Sequence, residues 1–281
     1  MNFRARHFHR ESSGFTLVEI AISLAVIGIA LVGIIGVLPL GMSVQRDNRE
    51  QTVINQDATV FIEAIRNGSS GLDDLTNYVY AITNIVTEFD TSGKIIMVTN
   101  NSYNYSGSAV FLPFVPSGPV PINSGLAIVG LLSMPEYVSL DGHTPTTNVF
   151  GGGFSNHVFA YVRSMSGPAV EKPPQDNPII HGDQNNPLGD AFGYRILCVN
   201  APVANTNLNV PQLPPAYDRQ LEANLHELRL TFQWPVLPNG GIGTGRQTYR
   251  TLVAGQIAQT NYLRLNQWLY FYQPQSFTNA P

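Results

Sequence analysis

The chain has 281 residues, of which 43% are hydrophobic and only 12% charged, with a formal net charge of −4. That length holds a membrane anchor plus one soluble domain of about 210 residues. The composition offers no basic stripe, so no nucleic-acid partner is expected, and the single cysteine, Cys198, cannot close an intrachain disulfide.

The first fourteen residues carry Arg4, Arg6 and Arg10 against one acid, Glu11. Nothing from Ile20 to Leu40 is charged. At about 1.5 Å rise per residue, a helix of that run spans roughly 30 Å, the thickness of a bilayer's hydrocarbon core. The preceding arginines predict a cytoplasmic leader, with everything after Leu40 outside the cytoplasm. A secretory signal peptide would have a shorter apolar core followed by a small-residue cleavage site. Here the core ends in Val37-Leu38-Pro39-Leu40-Gly41-Met42, and the small residue Gly14 stands before it. Cleavage after Gly14 would leave the apolar helix as a new N-terminus. Glu19 is the second unusual feature. A carboxylate at the centre of a span costs about 2.5–3.5 kcal/mol and less near an end, so it calls for a named partner. A free amine at Phe15 of an axially shifted neighbour is a natural counter-charge.

The segment Gly14-Phe15-Thr16-Leu17-Val18-Glu19-Ile20 resembles the class III leader of type IV pilins and type II secretion pseudopilins. That resemblance implies a membrane-embedded prepilin peptidase that cuts after Gly14 and N-methylates Phe15. It implies that Glu19 recruits the incoming subunit by pairing with its N-terminus. The partners it implies are other pilin or pseudopilin subunits, the inner-membrane assembly machinery and membrane lipid. Val37–Met42, together with Ile128-Val129-Gly130-Leu131-Leu132-Ser133, also looks similar to a cassette of pilin-like proteins in Verrucomicrobia-type bacteria.

Helical spacing continues beyond the span. Ile54, Ala58, Phe61, Ile62 and Ile65 recur at steps of three and four. Asn67-Gly68-Ser69-Ser70-Gly71 reads as a helix stop and turn. One helix from Thr16 to Arg66 would be roughly 75 Å long. Pro39 removes a hydrogen bond and clashes with the preceding turn, which predicts a kink, or marks the membrane exit.

After Gly71 the chain turns to Asn, Thr, Ser, Gly and Pro with short β-prone runs. Strands are expected at Lys94–Thr99, Leu126–Leu132, Val158–Val162, Tyr194–Val199, Leu225–Trp234 and Gln247–Val253, and Trp268–Tyr272 reads as a terminal strand. Leu228, Leu230, Phe232 and Trp234 alternate with Arg229, Thr231 and Gln233, the pattern of a half-buried strand. Leu225–Trp234 and Gln247–Val253 are expected to form an antiparallel hairpin. Pro113–Ser124 and Ser164–Gly193 read as long loops. The expected class is therefore α+β: a long N-terminal α-helix, membrane-spanning in its first half, and a mainly antiparallel β-rich head. The expected boundaries are residues 1–14 for the leader and 15–41 for the transmembrane helix. Residues 42–67 continue the helix, and 72–281 form the head.

Chemistry-bearing patterns are sparse. The six histidines show no metal-ligand spacing. Gly241-Ile242-Gly243-Thr244-Gly245 lies between strands rather than between a strand and a helix, so it reads as a hairpin loop and not a nucleotide fingerprint. Gly151-Gly152-Gly153 reads as a loop. Asp183, Asn185 and Asp190 form an oxygen-rich stretch, and major pseudopilins have a calcium-binding loop of similar composition. Pro187 and Leu188 interrupt the EF-hand ligand pattern, so a solvated turn is expected. Cys198 reads as a small buried apolar residue.

No cofactor and no enzymatic activity are expected. The expected function is a minor pilin or pseudopilin subunit of a pilus or secretion pseudopilus. It would sit in the bacterial inner membrane as a single-pass protein, head in the periplasm or outside the cell once assembled. The competing class is a membrane-tethered extracytoplasmic binding protein with an unprocessed anchor, which would have no use for Glu19.

Overall fold

Helix α1 (Leu17–Arg66) runs without interruption through Pro39 in the computed structural model. The structure describes residues 14–68, 74–104, 120–122, 124–165, 192–203, 216–237, 240–262 and 267–277. It divides into two compact units, Met1–Thr52 and Val53–Pro281, so the last turns of α1 belong to the second. The helix stops where Gly68 takes a φ of 59°, the left-handed conformation that glycine supplies at helix C-termini. Its N–H donates back to the Ile65 carbonyl at 3.3 Å.

In the second unit a short α2 (Leu75–Tyr78) leads into β1 (Val79–Phe89), β2 (Ile95–Asn104) and β3 (Val120–Pro121). Then come α3 (Gly125–Leu132), β4 (Tyr137–Val138), β5 (Pro145–Thr146), β6 (Gly153–Arg163) and β7 (Gly193–Pro202). The chain continues through α4 (Ala216–Asn224), β8 (Leu225–Val236), β9 (Ile242–Ala254), β10 (Gln256–Tyr262) and β11 (Gln267–Gln273). The main sheet has the order β3-β2-β1-β6-β7-β8-β9, with β4 pairing the start of β6 and β5 pairing β4. Every pair is antiparallel except the two-residue contact of β2 with β3. Strands β10 and β11 form a separate antiparallel pair. The α+β class read from the sequence is the class observed.

One sheet face carries the core. Following the register, Tyr103, Ile82, Ala160, Ile196 and Phe232 line one row across five strands. Ile54, Ala58, Phe61 and Ile65 of α1 belong to the same buried cluster, all at 0% exposure. Each side chain of the larger kind buried in this way contributes about 1.5–3 kcal/mol. At one end of the face three buried asparagines on β1, β6 and β7 replace apolar packing. Asn84 donates to the Asn156 carbonyl oxygen at 3.0 Å, Asn156 to the Pro135 carbonyl at 3.0 Å, and Asn200 to the Ser133 carbonyl at 2.6 Å. These bonds hold the segment after α3 against the sheet.

The β8–β9 hairpin forms as expected, with Leu228, Leu230, Phe232 and Trp234 buried. Trp268–Tyr272 falls in β11. Leu126–Leu132 is a correction: it is helical, not a strand. Ser124 accepts a hydrogen bond from the Ala127 N–H at 3.3 Å as the N-cap of α3, and every residue of α3 except Leu126 is buried. A helix buried all round loses the 3.6-residue period that would have distinguished it. Gly243 and Gly245 are a second correction, since they lie within β9 rather than in a loop. A Cβ on Gly245 would stand 2.5 Å from the Trp234 ring, and one on Gly243 would stand 2.4 Å from Pro235 Cδ. Both glycines therefore give room to the neighbouring strand. Gly153 likewise opens β6. Strands β1 and β10 were not expected from the sequence. Asp183, Asn185 and Asp190 lie outside the described residues, as does most of both long loops.

Candidate functional site at the start of the long helix

Gly14, Phe15 and Thr16 precede the helix and are exposed, Phe15 at 84%. The Thr16 carbonyl accepts the first intrahelical bond, from the Ile20 N–H at 3.2 Å, which makes Thr16 the N-cap. Its hydroxyl accepts from the Glu19 N–H at 3.3 Å and donates to Glu19 Oε2 at 2.9 Å. Glu19 Oε2 also accepts from the Thr16 N–H at 2.9 Å. This reciprocal arrangement is a capping box, and it stabilises two backbone donors that a helix start otherwise leaves unpaired. Both cap bonds to the carboxylate fall on Oε2, and the described contacts leave Oε1 without a partner. Glu19 therefore fixes the point where the helix begins while still presenting an acceptor oxygen outward.

Gly14 needs no glycine for the chain's own sake. Its backbone is outside the left-handed region, and apart from its chain neighbours no atom of the described residues lies within 4 Å of where a Cβ would stand. The link from Gly14 to Phe15 is thus non-helical, exposed and uncrowded by the other described residues. Beyond it, the helix is long and apolar enough to cross a membrane, and its most apolar window is wholly unburied. Ile20, Ile27, Leu31 and Ile35 are each more than half exposed.

A family model for the prokaryotic N-terminal methylation motif matches residues 9–35. The chain carries the type IV pilin and pseudopilin signature. The signature supports a pilin- or pseudopilin-type substrate of prepilin peptidase. It implies assembly with other pilin subunits, and with the apolar helix it fits a single-pass membrane-anchored protein. No curated protein and no solved structure matches the chain.

The pilin-type signature does not extend to the head, where three sites stand out. Asp57 of α1 is 2% exposed and accepts hydrogen bonds from the Tyr194 hydroxyl at 2.9 Å and the Met165 N–H at 3.1 Å. Burial, with a smaller push from the Asp57 charge, raises the Tyr194 phenol well above its ordinary value. A cavity of about 420 Å³ is lined by Thr146, Glu222, His226 and Gln256 among others. His226 is 3% exposed, with both ring nitrogens buried. Burial pushes it down to about 4, against a weaker opposing pull from the Ala223 backbone. The third site is a loop closed on Asp141, whose carboxylate accepts from the Ser139 and Thr144 hydroxyls and from the His143 and Thr144 N–H groups. Those bonds hold Asp141 well below the usual carboxylate range. His143 stacks on Trp268 with ring centroids 4.8 Å apart. Among the described residues no group of three His, Cys, Asp or Glu side chains could hold a metal.

Sequence reading singled out Gly14, Phe15 and Glu19 but missed the cap role of Thr16, although Thr-x-x-Glu ahead of an apolar run is its signal. It also missed Asp57, a carboxylate three residues after Ile54 and thus on the helix's apolar face. Cys198 is buried at 3% exposure, as expected.

Proposed function

We propose that this chain is a minor pilin or pseudopilin subunit that is stored in the bacterial inner membrane, processed and assembled. Prepilin peptidase cuts the Gly14–Phe15 bond, releasing residues 1–14, and the new amine of Phe15 is methylated. Residues 15–41 form the membrane and assembly helix, residues 42–67 its extracytoplasmic continuation, and residues 72–281 a periplasmic head. Pro39 supplies the point at which the helix kinks when the subunit leaves the bilayer. Glu19 then guides each subunit by pairing its outward oxygen with the methylated N-terminus of a neighbour in a type IV pilus or type II secretion-type pseudopilus.

The observation that carries this reading is Gly14. It is a glycine that the chain's own backbone and packing do not require, standing in an exposed, non-helical link directly ahead of a capped membrane-length helix. A small residue there serves a peptidase subsite. The test is the intact mass and N-terminal peptide of the protein from its native membrane. A chain beginning at N-methylated Phe15 is expected. A chain still beginning at Met1, in cells with active prepilin peptidase, overturns the reading.

A further inference from the structure

The main sheet ends in two long edges. Among the described residues, Thr248–Ala254 of β9 and Ile95–Thr99 of β2 have no strand on their outer sides, because β3 touches β2 only at Tyr103 and Asn104. Soluble proteins protect such edges with prolines, inward charges or very short strands, since bare N–H and C=O groups invite another chain. Neither segment contains a proline or an acid. The β2 segment is apolar instead, with Ile95, Ile96, Met97 and Val98 each 54–59% exposed, and the β9 segment presents Leu252 at 58% exposure beside the exposed Arg250.

The two edges also match each other. Strand direction alternates at every step from β2 through β1, β6, β7 and β8 to β9, so β2 and β9 run in opposite directions. A second copy added in the same orientation therefore offers an antiparallel partner. The apolar parts lie at the same end of the sheet: Val98 pairs with Thr87 near the end of β1, and Leu252 with Glu227 near the start of β8. Both side chains stand on the sheet's outer face, out of step with the core-facing Ile82 and Leu228.

We propose that the β9 edge of one copy adds to the β2 edge of the next, extending the sheet from head to head and bringing Leu252 beside Val98. The occupant of each edge is a second copy of this chain. The contact joins two different surfaces, so it does not close on itself as a two-fold dimer does, and it propagates from copy to copy as an open array or a ring. Main-chain hydrogen bonds supply the pairing and the apolar side chains the register. This rests on the reading of the chain as an assembling subunit, in its pseudopilin form with many adjacent copies.

The test is disulfide cross-linking of the full chain in its native membrane, with L252C and V98C made singly and together. Both positions are exposed, and the natural Cys198 is buried, so neither substitution disturbs the core nor competes for oxidant. Within one copy the two sites lie five strand steps apart, about 24 Å, far beyond the Cα separation a disulfide spans. Mild oxidation of the double variant should give a ladder of dimers, trimers and larger species, with each single variant alone remaining monomeric. Single variants that cross-link to themselves, or a double variant that stops at dimers, would mean two-fold edge pairing and would overturn the proposal. So would a double variant that stays monomeric on oxidation yet resists a thiol-reactive polymer, because a different chain would then cover the edge. The N-terminal mass of the same sample separates the two failures. Processed subunits without a ladder overturn the edge contact alone, and unprocessed subunits overturn the assembly reading whatever the cross-links show.

Discussion

Replacing Asp57 with alanine tests whether a buried carboxylate ties the last turns of α1 to the sheet. It removes the acceptor for the Tyr194 hydroxyl and the Met165 N–H, at 2.9 and 3.1 Å. A hydrogen bond to a charged group is worth about 1.5–3 kcal/mol, and each donor left buried and unpaired costs about 1–3 kcal/mol. Removing the carboxylate also recovers its own desolvation cost, which offsets part of the loss. The net expectation is about 3 kcal/mol of destabilisation, or about 6–12 °C in Tm for a unit of this size. The assay is guanidinium unfolding of the full chain in detergent, followed by tryptophan fluorescence. Both tryptophans, Trp234 and Trp268, lie in the second unit, so the apolar span adds no signal. Y194F keeps the ring packed on Phe232 at 5.4 Å and deletes only the hydroxyl. The D57A/Y194F double variant should therefore fall short of additivity by about 1.5–2 kcal/mol. Strictly additive effects would refute the claim that these two groups bond across the core.

Glu19→Ala should leave cleavage after Gly14 intact but abolish recovery of the subunit in filaments, read by N-terminal mass beside a sheared-filament fraction. Thr16→Ala should cost the helix start about 1 kcal/mol, seen as faster amide exchange over the first turn, without the assembly loss of Glu19→Ala. His226 has a folded pKa depressed from 6.5 to about 4, so the unfolded chain takes up the proton first as pH falls. The stability it contributes is present above about pH 6.5 and is lost as pH falls toward 4, by about 3 kcal/mol in all. Chemical denaturation across that range should show the loss, and His226→Leu should remove it. Gly130→Ala places a Cβ 2.7 Å from Leu269 Cβ and 2.8 Å from the Phe271 ring, and this overpacking should cost about 1–3 kcal/mol by the same unfolding assay.

What the sequence displayed depended on whether one face of each element meets water. Strand β8 alternates cleanly because its Arg229 and Gln233 face is partly exposed while Leu228 and Phe232 are buried, so it was legible. Strand β1 starts with six buried residues in succession and has no alternation to read. The apolar run of α3 is buried on almost every side and is too short for length to decide between helix and strand. Ser124 just ahead of it was the one local clue. At the N-terminus the arginines, the glycine and the acid are chemistry rather than packing, and they were legible residue by residue. The partners of Asp57 were not, since Tyr194 lies 137 residues away along the chain.

Ile54, Ala58, Phe61 and Ile65 are at once the closing turns of α1 and part of the sheet's core. Force applied to these closing turns is therefore borne by the core itself. Within the second unit these turns cannot be drawn out without opening its own interior. The resistance of those turns to extraction is set by the unfolding barrier of the second unit, and any substitution that lowers that barrier also loosens them.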